Sequence, residues 1–237
     1  MKHTFLALLA FLTLFTSASC RKITGEGPVV TEMRNISGFN SIHSELSADV
    51  YFTPGSSYEV GIEAQRNIID EIETVLNDGK LTIRVKRNVS LRSHERIRVN
   101  ITAPDINEIY LSGSGNIYVT NTFTTGNLNL KISGSGSMSI PELEASSLTA
   151  AISGSGDMTI GAGHTGQETL EISGSGNIDA LGCAAGNSSV RISGSGNIRV
   201  FATETLKVKI SGSGDVYYKG NPALDVDISG SGKLKHL

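Results

Sequence analysis

The chain has 237 residues, a formal net charge of −3, 27 glycines, 7 phenylalanines, 6 tyrosines and no tryptophan. That length allows one sizeable domain or two small ones, and the charge is too mild to point to nucleic acid or to an acidic substrate. Glycine content alone leaves low complexity open, so the order of residues has to decide.

The chain starts like a targeting segment. Met1-Lys2-His3 is a short positive start, and "FLALLAFLTLF" (5–15) is an apolar run too short to span a bilayer. "TSASC" (16–20) follows, with small residues ahead of Cys20. This resembles the bacterial lipoprotein signal, in which that cysteine is lipidated and becomes the mature N-terminus. Ser17 departs from the strict pattern, which prefers leucine, and fits the relaxed versions of Bacteroidetes. The expectation is a signal peptide over 1–19, acyl chains on Cys20 as the membrane anchor, and a tether over 20–36. Cys183 is then left without a partner, and "LGCAAG" reads as a small buried residue rather than a nucleophile.

Residues 37–111 mix strand signals. "FNSIHSELSADVYFTPG" holds two alternating runs around a polar break, and "YEVGIEA" (58–64) alternates as a strand. "RNIIDEIETVL" (66–76) carries Ile68, Ile69, Ile72 and Val75 at helical spacing, which predicts one short helix. "NDGKLTIRVK" (77–86) is an Asp-Gly turn and a strand, "NVSLRSHER" (88–96) a polar loop, and "IRVNITAP" (97–104) another strand.

From Ser112 the chain repeats. SGSG begins at Ser112, Ser133, Ser153, Ser173, Ser193, Ser211 and Ser229, at intervals of 21, 20, 20, 20, 18 and 18 residues. In Leu128, Leu130, Ile132, Gly134, Gly136, Met138 and Ile140 every second residue is apolar or glycine. The alternation crosses SGSG without a slip, so the serines face outward and the glycines inward, at a waist too narrow for side chains. Units of this length stack, because none can bury its apolar row alone. The prediction is all-β: a single-stranded β-solenoid, right-handed and parallel β-helix-like, with about 18–21 residues per rung over 37–237. Residues 37–111 form degenerate first rungs and a small N-terminal cap with one short helix, and 112–237 form the SGSG repeats. "PELEASS", "GAGHTGQE" and "LGCAAGNS" read as loops along one side.

"SGFNSI", "SADVYFTPG", "NDGKLTI" and the repeated "ISGSGNI" resemble the adhesin family with the head GIN domain. The resemblance covers about 37–237. It implies an exported β-helix-like solenoid, often a lipoprotein, with a role in cell-surface adhesion. It supplies no catalytic residues.

The residues themselves offer little chemistry. His3, His43, His94, His164 and His236 are scattered, and none stands at a metal-ligand spacing. The outward position after SGSG reads Asn116, Ser137, Asp157, Asn177, Asn197, Asp215, Lys233, a ladder of stackable side chains rather than a catalytic set. Asp157 and Asp215 are two rungs too far apart to act as a pair. The expectation is no catalytic residue, no metal and no cofactor. Ser135, Ser155, Ser175, Ser195 and Ser213 form an exposed column that reads as corner packing first and as a binding ladder second. Only Tyr118 and Tyr217 stand outward beside the motif, so support for a glycan is thin. The function read from these features is a non-enzymatic, lipid-anchored protein of the bacterial outer membrane. It binds a protein or glycan partner and no nucleic acid. A structural or regulatory envelope scaffold and a polysaccharide-active β-helix enzyme are the alternatives. Arg21-Lys22 leaves the periplasmic and cell-surface faces both open.

Overall fold

A strand of period two buries one row of side chains, and stacked strands share that row as a common core. The computed structural model follows this rule throughout. It describes residues 20–237; the signal peptide expected over 1–19 lies outside the described residues. In chain order the elements are β1 (Arg21–Ile23), β2 (Val29–Arg34), β3 (Ser41–Ser44), β4 (Asp49–Pro54), β5 (Glu59–Gln65), α1 (Arg66–Ile69), β6 (Ile72–Asn77), β7 (Lys80–Val85), β8 (Val89–Leu91) and β9 (Arg98–Ala103). Then follow β10 (Glu108–Leu111), β11 (Asn116–Val119), β12 (Phe123–Gly134), β13 (Ser137–Gly154), β14 (Asp157–Gly174), β15 (Asn177–Gly194), β16 (Asn197–Gly212), β17 (Val216–Lys219), β18 (Ala223–Gly230) and β19 (Leu234–His236). The fold is the expected β-solenoid, with the rungs from β10 onward stacked in parallel and in chain order.

Each full rung has three walls. In β13 the alternation of buried and exposed residues breaks at Pro141–Glu142 and again at Ser146–Ser147. These breaks are two corners, and SGSG is the third. The segments expected as loops are therefore strand. Leu143 and Ala145 of "PELEASS" face the core and pair with Gly163 and Thr165 of the next rung. The apolar residues at alternate positions hold this third wall; its glycines and polar residues hide the pattern in the sequence. The shift from 20 to 18 residues per rung is absorbed here as well, through register shifts between Ala180 and Ala184 and between Ala185 and Asn187 where β15 meets β16.

The N-terminal segment caps the solenoid, but not in chain order. β3 and β4 lie between β10 and β11 on one side and β7 and β9 on the other. Residues 41–54 are thus sandwiched between rungs that come later in the chain. Antiparallel strands then close the end: β6 on β7, β5 on β9, and β2 on β5. Two expectations are corrected. The helix stops at Ile69, and 72–77 form a hairpin strand with β7. Asp78 and Gly79 take positive φ angles of 49° and 74° at its turn, a geometry that matches strand twist and outweighs the helical spacing. Residues 20–36 are not a free tether, because β1 pairs with β8, inside the expected polar loop, and β2 with β5.

The SGSG corner explains its glycines. Gly154 O accepts from the backbone N–H groups of Ser175 at 2.9 Å and Gly176 at 3.2 Å in the next rung, and Gly174 O does the same for Ser195 and Gly196. The ladder therefore turns the corner without losing its bonds. From Gly134 onward the first glycine of the motif adopts a φ of +129° to +143°, for example +138° at Gly154 and +143° at Gly174, a region L side chains rarely enter. A Cβ there would sit well under 3.0 Å from the glycine carbonyl of the preceding rung. The second glycine is buried, and its Cβ would strike the same rung's backbone and an isoleucine methyl, as Gly176 would strike Ile152. The in-and-out phase is as expected for the serines and for the second glycine. The obstruction differs: it comes along the axis from the stacked rung, not from an opposite wall.

Gly154→Val should therefore lower the unfolding free energy by at least about 2 kcal/mol, from overpacking and backbone strain together. Ser153→Val, on an exposed strand position, should change it by less than about 0.5 kcal/mol. Urea denaturation of the two variants measures both.

Candidate functional site

The exposed columns divide into structural ones and one groove. Ser135, Ser155, Ser175, Ser195 and Ser213 all stand exposed at successive corners. The backbone N–H groups of the last four donate to glycine carbonyls of the preceding rung at 2.9–3.0 Å. The column after SGSG is a hydrogen-bonded ladder. Asn116 Nδ2 donates to Asp49 Oδ1 at 2.9 Å, Ser137 Oγ to Asn116 at 2.7 Å, Asn177 to Asp157 at 2.8 Å and Asn197 to Asn177 at 3.1 Å. Asp215 closes it, and the Lys235 ammonium, 2.6 Å from Asp215 Oδ2, holds that carboxyl below the usual range. Asp157 and Asp215 thus serve the stack. Tyr118 stacks on Tyr51 with centroids 5.2 Å apart, and Tyr217 lies between Arg199 and Lys235. Among the described residues no three His, Cys, Asp or Glu side chains gather as a metal site.

The groove lies on the wall leading into the SGSG corner. The outward residue just before each motif isoleucine forms a column: His43, Tyr110, Lys131, Ala151, Glu171 and Arg191, each in register with the next. Ala151 is short between long neighbours, so a notch opens there. With Ser133, Ser153 and Ser173 beside it, the notch becomes a groove of about 590 Å³, a size typical of small-ligand sites. Its upper end is braced. The His43 ring meets Tyr110 edge-on at 4.9 Å. Glu108 bonds His43 and accepts from Ser41 Oγ at 3.0 Å, and the His43 bond leads the effects that lower its pKa. At the lower end Arg191 Nε is 3.6 Å from Glu171, a loose pair with both side chains about half exposed or more.

The sequence matches the family described as "Putative auto-transporter adhesin, head GIN domain" over residues 38–222. The chain belongs to this family. The solved structure of a "putative adhesin" from Bacteroides fragilis superposes with a TM-score of 0.84 at 25% identity, covering 91% of this chain and 100% of that one. Two structures from Parabacteroides share the fold. A "putative lipid binding protein" from P. distasonis has a TM-score of 0.79 at 23% identity, covering 92% of this chain and 100% of that one. A "putative adhesin" from P. merdae has 0.73 at 22%, covering 92% and 99%. No curated protein matches the chain. The family model and these neighbours carry adhesin and binding descriptions, not enzyme ones.

In this head GIN domain the groove was not singled out by the sequence. The serines of its floor read from the sequence as outward-facing, but the residues ahead of the isoleucines do not line up until the rungs are stacked. That alignment exposes Lys131, Ala151, Glu171 and Arg191. His43 and Glu108 need the structure, because the rung of 41–54 is stacked out of chain order. A second omission is Glu168. The alternation Glu168, Leu170, Ile172 turns it inward, and it is buried in the core with only the Ser188 hydroxyl donating to Oε2 at 3.0 Å. Burial raises its pKa to about 8. Cys183 is fully buried, and burial lifts its thiol to about 12, which fits the expected inert residue.

Glu168 makes stability depend on pH. Its pKa rises from an ordinary value near 4.5 to about 8 on folding. Below both values the neutral acid costs nothing extra. Between them the unfolded chain loses a proton that the folded chain keeps, so stability falls as pH rises through this window. Urea denaturation at about pH 5 and about pH 9 should show wild type losing stability, and Glu168→Gln should flatten that loss.

Proposed function

We propose that the protein is a lipid-anchored, non-enzymatic adhesin of the bacterial envelope that holds its ligand in the groove beside Tyr110, Lys131, Ala151 and Arg191. The groove carries this reading. On the column after SGSG, the regular side chains spend their hydrogen bonds on the neighbouring rung. Here the small residue at position 151 leaves space, and charged and aromatic groups face it without being needed by the stack. The rungs below keep the floor rigid, so a ligand would meet a preformed surface and lose little to ordering. Family membership supports an adhesin-type role. The exposed Cys20, directly ahead of β1, supports attachment at the capped end. Acyl chains there would anchor the solenoid without a spanning helix.

Two measurements test the two halves. Cells fed a fatty-acid analogue should label wild type and not Cys20→Ala; equal labelling removes the anchor. Ala151→Arg fills the notch from an outward position. Purified Ala151→Arg on beads should lose at least about tenfold in adherence to target surfaces, equivalent to about 1.4 kcal/mol, while its urea midpoint stays within error of wild type. Thr159→Arg, on another wall, should adhere normally. Unchanged adherence of Ala151→Arg sinks the groove as the contact site.

A further inference from the structure

We infer that the groove takes an oligosaccharide carrying a single carboxylate, with the acid at Lys131 and a neutral ring against Tyr110. This rests on the groove being the ligand site.

Three observations lead there. Lys131 is exposed and forms no ion pair among the described residues, although it lies near enough to Glu108 to influence it. Glu108 is already occupied, bonded by His43 and Ser41. An ammonium so placed beside a recess is available to a carboxylate from outside. Glu171 limits the total charge. It lies two rungs from Lys131, about 10 Å along the axis, and its partner Arg191 only loosely offsets it. A ligand with acids on every ring would place one against Glu171, where like charges repel. A ring with hydroxyls instead finds an acceptor in Glu171 and donors in Arg191.

The remaining surface suits a sugar rather than a peptide. Ser133, Ser153 and Ser173 give a row of hydroxyls spaced by the rung repeat, each able to donate and accept. Tyr110, held edge-on by His43, offers an aromatic face whose negative quadrupole attracts the slightly positive C–H face of a pyranose. A peptide bound in extended form needs a free strand edge or deep side-chain pockets. This wall has no free strand edge, because β12, β13, β14 and β15 are each paired on both sides. The net charge of the chain gives no hint of this, since it averages over acids remote from the groove.

The test uses the full mature chain and matched probes in titration calorimetry. 3′-Sialyllactose and glucuronosyl-xylobiose carry one carboxylate; lactose and xylobiose carry none; trigalacturonate carries three. At least one singly acidic probe should bind at least tenfold more tightly than its neutral counterpart and than trigalacturonate. Lys131→Ala should erase the preference for acid, and Tyr110→Ala should weaken both acidic and neutral probes. Equal binding of acidic and neutral sugars, tighter binding of trigalacturonate, or tighter binding of an Asp-containing hexapeptide overturns the assignment. So does failure of both singly acidic probes to bind. If Ala151→Arg still abolishes adherence in that case, the groove stands and only the ligand class falls. If Ala151→Arg adheres normally, the groove itself is wrong.

Discussion

From Gly154 to Gly212 the carbonyl oxygen of the first glycine in SGSG aims along the solenoid axis and holds the next rung by two backbone N–H groups, as Gly154 holds Ser175 and Gly176. A chain that bends sharply normally strands polar backbone groups, and buried ones are costly. Here the bend and the ladder coexist because no Cβ stands between the rungs. The rest follows from that. Rungs can pack at strand spacing even at the corner, the isoleucines ahead of it stack in a continuous row, and the serines are left outside.

Much of this was legible in the residues. The period, the strand phase through SGSG, the inward second glycine and the Asn ladder all come from spacing and alternation, which are local. What was not legible depended on contacts between distant segments. The third wall was hidden because "GAGHTGQE" and "LGCAAGNS" look like loops; only stacking shows that Thr165 and Ala185 are buried in the core. The helix predicted over 66–76 lost most of its length to a hairpin whose turn residues outweighed its helical spacing. β1 and β2 looked like tether because their partners are some thirty to seventy residues away.

The groove shows how such a fold acquires a site. Outward positions on a stacked wall carry little of the stability, so they are free to vary one rung at a time. A short side chain among longer ones becomes a recess, and the rungs above and below supply chemistry at fixed spacing. The corner columns are less free. Asn177 and Asn197 sustain bonds between rungs, and replacing them would disturb the stack before it altered recognition. The serine column and the ladder, the most regular features in the sequence, are therefore poorer guides to function than the irregular column beside them.

The interleaving at the N-terminal end gives the molecule a direction. Residues 41–54 are held between segments that follow them by about forty to seventy positions, so this end has to assemble as a unit, at the loop-closure cost of distant contacts. Beyond β11 each rung touches only its neighbours in sequence, the condition for stepwise addition. β18 is stacked on one side, with Leu224, Val226 and Ile228 about half exposed. Hydrogen exchange along the solenoid would then grade from fast at this rung to slow at the capped end, a protection gradient written in the topology rather than in the composition.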